Sequence, residues 1–84
     1  MKKPGNYLLL DIRTEQERNI SKINGSIHIP LQELSSRVNE LNSHRGKQII
    51  CYCRTGNRSL SAASKLMKFG YNAANLKGGL VNWN

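Results

Sequence analysis

The sequence predicts an α/β fold: a small three-layer arrangement with a mostly parallel central sheet of about four strands and helices on both faces. Three observations point there. Short apolar runs alternate along the chain with stretches whose apolar residues recur at helical spacing, a pattern that selects a parallel sheet with covering helices. Two of the runs, YLLLDI at 7–12 and IICYC at 49–53, are apolar nearly throughout, as suits strands buried on both faces. Finally, 84 residues can hold one compact domain and no more, so 1–84 is read as a single domain with 1–6 as a flexible N-terminal segment.

The elements follow in order. The run 7–12 ends in a carboxylate, Asp11, and gives the first strand. Thr14 is placed to cap a short helix through Ile20, with Glu15 and Glu17 in its first turn where the helix dipole favours negative charge. Asn24-Gly25 marks a turn, and SIHIP after it is a short strand stopped by Pro30. Leu31, Leu34, Val38 and Leu41 fall on one face of a helix that closes near His44-Arg45-Gly46. QIICYC belongs at the middle of the sheet. Leu60, Ala63, Leu66, Met67 and Phe69 predict a second amphipathic helix, capped by Ser59 and ended by Gly70. AANL supplies the last strand, and GGLVNW a glycine pair followed by a short terminal helix.

Composition narrows the function. The formal charge is +8, from 13 Lys and Arg against 5 Asp and Glu, which favours anionic partners. No dense basic run or aromatic platform is present, so nucleic acid is not expected. No stretch has the length of a membrane span or the form of a signal peptide, which predicts a cytoplasmic chain, or a periplasmic one if a leader has been removed. Cys51 and Cys53, one residue apart in a strand, are badly placed for a disulfide. With no second Cys pair, and with His28 and His44 off ligand spacing, no metal is expected. No cofactor is expected either.

In a parallel sheet the binding site gathers at the carboxyl ends of the strands, where Asp11 and Cys53 both lie. Cys53 is followed by Arg54, Thr55, Gly56, Asn57 and Arg58 before the helix opens at Ser59. Gly56 and Asn57 tolerate positive φ, so the loop can turn successive backbone N–H groups inward as an anion-binding nest. The helix N-terminus, Arg54 and Arg58 add to the positive field. Such surroundings favour a thiolate at neutral pH, and hence a nucleophile. Cys51, inside the strand, is read as a buried, inert thiol.

Over nearly its whole length the chain resembles the rhodanese-like sulfurtransferases. LLLDIR with Thr14 and Glu15 resembles the family's opening LLDVRxxxE signature, GSIHIP its GAxNIP turn and strand, CRTGNRS its active loop, and GGLVNW its closing GGxxxW. The resemblance implies sulfane-sulfur transfer through a Cys53 persulfide, from thiosulfate, polysulfide or another persulfide to a thiol or cyanide. By the same resemblance, Arg58 binds the anionic donor, Arg54 steers it in, and Thr55, Gly56 and Asn57 complete the binding loop. Asp11 and Arg13 brace that loop from behind, and Trp83 covers the core. Two departures bear on the brace: Ser21 and Lys22 stand in place of a glycine and a histidine, and His28 in place of an asparagine. The helix that usually precedes the first strand is missing, so one side of the sheet is expected to be thinly covered or to meet a partner.

Other functions remain for the same residues. A persulfide carrier serving a protein partner would use the same cysteine. Phosphatases and arsenate reductases of this fold need C-x5-R, whereas Cys53 to Arg58 is C-x4-R. A non-catalytic binding module would not need an intact loop.

Overall fold

The computed structural model describes residues 7–54 and 56–80. The expected N-terminal segment 1–6, Thr55, and the terminal helix with Trp83 lie outside the described residues. The order is β1 (Tyr7–Asp11), α1 (Glu15–Ile20), β2 (Ile27–His28), a helical stretch containing α2 (Leu34–Arg37), β3 (Gln48–Tyr52), α3 (Asn57–Lys68) and β4 (Ala73–Asn75). The four strands form one parallel sheet in the order β2-β1-β3-β4. β1 and β3 are therefore the inner strands, which explains why their sequences lack the polar alternation of a half-exposed strand.

Side chains along β1 and β3 divide by parity. Leu8, Leu10, Ile49 and Cys51, continued by Ile12 and Cys53, pack with Leu34, Val38, Leu41, Ala62, Ala63, Leu66 and Tyr71. On the opposite face Leu9, Ile50 and Tyr52 meet Ile23, with Tyr7, Leu76 and Leu80 packed around them. The two faces are unequal: the larger core lies under α2 and α3, while α1 contributes no buried residue.

Two helices differ from the sequence reading. The stretch after Pro30 is apolar where expected, but only Leu34–Arg37 is α-helical; Leu31–Glu33 and Val38–His44 are 3₁₀ turns. Ser36 Oγ donates to the Glu33 carbonyl at 3.0 Å, and Tyr71 OH donates to the Val38 carbonyl at 3.2 Å. Such bonds compete for carbonyls that an α-helix would use, and Ser and Asn are frequent here.

The second difference concerns α3, which starts at Asn57 with Gly56 as its N-cap, so Ser59 lies inside the first turn and does not cap it. The face turned to the sheet is Ser59, Ala62, Ala63 and Leu66. Leu60 and Met67, expected inside, are 61% and 56% exposed, and Phe69 is 43% exposed. The start of the helix fixes this phase, because its first N–H groups point at Cys53. Small residues on the inner face then let the helix lie close to β3. Gly70, at φ +89, ends the helix as expected.

The phase of α3 has a measurable consequence. Leu66→Ala, which empties a fully buried site, should cost about 2–5 kcal/mol in chemical denaturation. Leu60→Ala should cost no more than about 0.5 kcal/mol, as expected for an exposed site.

Candidate functional site

Cys53 follows the last residue of β3 and is 1% exposed. Its Sγ accepts a hydrogen bond from the Gly56 N–H at 3.0 Å and from the Ser59 N–H at 3.4 Å. Ser59 Oγ lies 3.6 Å from the same sulfur and donates to the Gly56 carbonyl at 3.1 Å. This geometry requires Gly56 at φ +107, a conformation that costs an L-residue strain. Two backbone donors and the N-terminus of a 12-residue helix therefore converge on one sulfur. Negative charge placed there is stabilised by N–H dipoles already in position.

The second glycine of the closing pair supports the loop from beneath. Gly79 has φ +64, and a Cβ there would sit 2.5 Å from the carbonyl oxygens of both Cys53 and Arg54. Leu80 N–H donates to the Cys53 carbonyl at 2.8 Å, locking the segment after β4 to the start of the loop.

Asp11 lies on the neighbouring strand, fully buried. Its Oδ1 accepts from the Arg13 backbone N–H at 2.9 Å and from Arg13 Nε at 3.0 Å. Its Oδ2 accepts from Arg13 Nη2 at 3.0 Å, Arg18 Nη1 at 3.2 Å and Tyr52 OH at 3.2 Å. Burial alone would raise its pKa, but the hydrogen bonds and charges of Arg13 and Arg18 together hold the carboxyl below its ordinary value. Arg13 Nη2 also reaches the Ser21 carbonyl, and Arg18 binds Ser26 Oγ and its carbonyl. His28 Nε2 donates to the Arg13 carbonyl at 2.7 Å, so the departures at Ser21 and His28 both take part in this brace.

Arg58, at the end of the loop, is engaged in an ion pair. Its Nη1 and Nη2 donate to Glu17 Oε1 and Oε2, each at 2.8 Å, so a bidentate pair joins the first turn of α3 to α1. Glu17 is itself held by Thr14: its Oε1 accepts from the Thr14 N–H at 3.1 Å, while Thr14 Oγ1 accepts from the Glu17 N–H at 3.2 Å. The hydrogen bonds from Arg58 lower the Glu17 pKa to about 2, and Glu17 in turn raises that of Arg58. Sequence reasoning placed Glu17 in a helical turn and gave it no part in the site. The T-x-x-E spacing from Thr14 predicts its capping role, and the R-x-x-x-E of the signature quoted above falls on Arg13 and Glu17, a signal that could have brought Glu17 into the site; its bond to a residue 41 positions away has no local signal.

Arg54 is exposed and lines a groove of about 340 Å³ with Arg13, Glu17, Ile20, Ser21 and Leu80. Asn57, the first residue of α3, is exposed as well. Cys51 is buried in β3, and burial pushes its thiol up to about 12, with a further rise from neighbouring Cys53. No three His, Cys, Asp or Glu side chains converge as a metal site among the described residues. Nor is any helix among them long and apolar enough to cross a membrane.

A family model described as a rhodanese-like domain matches residues 1–84. The chain belongs to the rhodanese-like family. It is 36% identical over 77 residues to a sulfurtransferase of Allochromatium vinosum, covering 90% of this chain and 70% of that protein. An adenylyltransferase and sulfurtransferase of Yarrowia lipolytica is 35% identical over 77 residues, but there the chain spans 19% of the relative's length. The crystal structure of a rhodanese-related protein from Thermoplasma volcanium superposes with a TM-score of 0.85 at 35% identity, over 93% of this chain and 76% of the other. The chain thus belongs to a family that includes sulfurtransferases, and its four-stranded parallel sheet is that of the family.

The site yields two expectations. Gly79→Ala drives a methyl group into two carbonyls at a strained φ and should cost at least about 2 kcal/mol; Gly25→Ala, with φ +84 but open space, should cost only the backbone strain, about 1–2 kcal/mol. The second concerns pH. Glu17 has its pKa lowered from 4.5 to about 2, so the stability it contributes is complete above about 4.5 and is lost as pH falls toward about 2. Thermal melting between these limits should therefore show a steeper loss in the unsubstituted protein than in Glu17→Gln, and parallel curves would deny Glu17 that contribution.

Proposed function

We propose that the domain transfers sulfane sulfur through a persulfide on Cys53. The observation that carries this reading is the pair of backbone N–H groups, from Gly56 and Ser59, directed at Cys53 Sγ from the start of α3. These donors stabilise the attacking thiolate and then the persulfide anion without having to reorganise. With thiosulfate, the Cys53 thiolate attacks the outer sulfur, a new S–S bond forms, and the old one breaks with its electron pair leaving on sulfite. With an organic persulfide, the outer SH group passes to Cys53 and the donor leaves as a thiolate. Attack on the outer persulfide sulfur by an acceptor thiolate, or by cyanide to give thiocyanate, returns Cys53 to its starting state.

The same reading assigns roles to the remaining residues. Gly56 and Asn57 belong to the loop that receives the outer sulfur, and Ser59 holds the loop closed through the Gly56 carbonyl. Arg54, exposed at the groove, meets the donor first. Arg58 ties the loop to α1, while Asp11 and Arg13 hold α1 and β2 in register behind it. Because Cys53 is 1% exposed, loading requires a movement that uncovers Sγ, so loading rates report that motion as well as chemistry.

A second reading has its own support: the Yarrowia lipolytica relative is far longer than this chain. A domain of this kind within a larger enzyme hands sulfur to another domain or protein. The same Cys53 persulfide would then serve as a carrier.

Intact-mass analysis after incubation with thiosulfate or polysulfide should show a gain of one sulfur on Cys53, removable by cyanide. Cys53→Ser should abolish it, whereas Cys51→Ser should leave the loading rate within about twofold, since that thiol is buried and protonated at neutral pH. Equal loss in both variants, each folded, would refute the assignment.

A further inference from the structure

Two arginines in an active loop would ordinarily present two positive charges to an anionic donor. This loop does not. Arg58 is bound through both Nη atoms to Glu17 at 2.8 Å, and the Glu17 carboxylate is oriented by Thr14 from the other side. Arg54 joins no ion pair among the described residues. Arg13 is buried against Asp11. A donor in the groove therefore meets Arg54, without an ion pair among the described residues, and the carboxylate of Glu17, both of which line it. Arg58 stands in the first turn of α3, next to Ser59, whose N–H donates to Cys53 Sγ at 3.4 Å, so whatever neutralises Arg58 also alters the field at the sulfur.

We propose that Glu17 is a specificity-determining positioning residue: by neutralising Arg58 it biases the site toward sulfur donors with at most one negative charge, such as organic persulfides, and against dianions such as thiosulfate. The inference rests on the persulfide reading above. A dianion gains more than a monoanion from each added positive charge and loses more to each nearby carboxylate. The effect of Glu17 thus scales with donor charge, which a strut that merely holds the loop would not produce. Removing the carboxylate while keeping its shape should release Arg58 as a full charge beside the sulfur.

The test compares initial rates of Cys53 loading by thiosulfate and by the persulfide of 2-mercaptoethanol at one pH, read by intact mass and by cyanide-released thiocyanate. Glu17→Gln retains an oxygen for the Thr14 N–H. It should speed loading by thiosulfate about threefold or more and change loading by the persulfide less than about twofold. Added salt should erase that gain, and so should Arg58→Gln in the same chain, because the effect acts through Arg58. Glu17→Asp, whose shorter side chain draws the carboxylate back from Arg58, should move the donor ratio in the same direction to a smaller extent and decides the matter if the glutamine variant does not fold. A slower thiosulfate reaction, or a parallel change with both donors, overturns the proposal and leaves Glu17 a strut. Failure of the unsubstituted protein to load from either donor overturns the persulfide reading itself.

Discussion

The buried carboxylate of Asp11 organises the end of this domain that carries Cys53. An ionised group with no solvent exposure persists only if its lone pairs are filled, and here five hydrogen bonds come from Arg13, Arg18 and Tyr52. Each donor belongs to a different part of the chain: the turn after β1, helix α1, and the end of β3. Satisfying one carboxylate therefore fixes where α1 sits relative to the strand that presents Cys53. Tyr52 extends the same set, since its hydroxyl also receives the Ile23 N–H at 3.1 Å. The segment 21–26, which has little regular structure, is thereby held to the sheet.

With α1 so placed, its first turn is within reach of α3. The contact between them is again ionic, Glu17 with Arg58, and it is half exposed where that of Asp11 is buried. The two pairs have different physical consequences. The buried one specifies position, because breaking it would leave a charge without solvent or partner. The outer one is screened by water and contributes modestly to stability, yet it governs how much positive charge stands beside the sulfur. Four of the chain's five acidic residues are engaged in ion pairs with arginine, Asp11, Glu17, Glu33 and Glu40, so the net charge of +8 is an excess left after internal pairing.

The sulfur itself is served by backbone. Gly56 takes a left-handed conformation so that its N–H points at Sγ, and Gly79 omits a side chain where the polypeptide passes under Cys53 and Arg54. Ser59, Ala62 and Ala63 present little volume toward β3, so α3 approaches with its first turn aimed at the same atom. Cys51, two residues earlier on the same face of the sheet, has no such donors among the described residues and is a buried thiol whose pKa burial raises. The contrast between the two cysteines is one of geometry, since their residue type and depth are the same.

Much of this could be read locally. Nearly continuous apolar runs at 7–12 and 49–53 announced inner parallel strands, Thr14 ahead of Glu15 and Glu17 announced a cap, and CRTGNRS announced a tight loop between strand and helix, because each depends on neighbours within a few residues. The phase of α3 could not, since Leu60 and Met67 satisfy a helical period as well as Ala62 and Leu66 do, and only the requirement that the start of the helix direct its N–H groups at Cys53 Sγ selects between them. Nor could the partner of Arg58, which lies 41 residues away and is brought near by a carboxylate on another strand. The sequence by itself determined which residue types occupy the loop and where strands and helices alternate, because propensity, capping and hydrophobic period are short-range. Only the tertiary structure decided which charges meet, because an ion pair depends on distance in space, which the packing of α1 and α3 against the sheet sets.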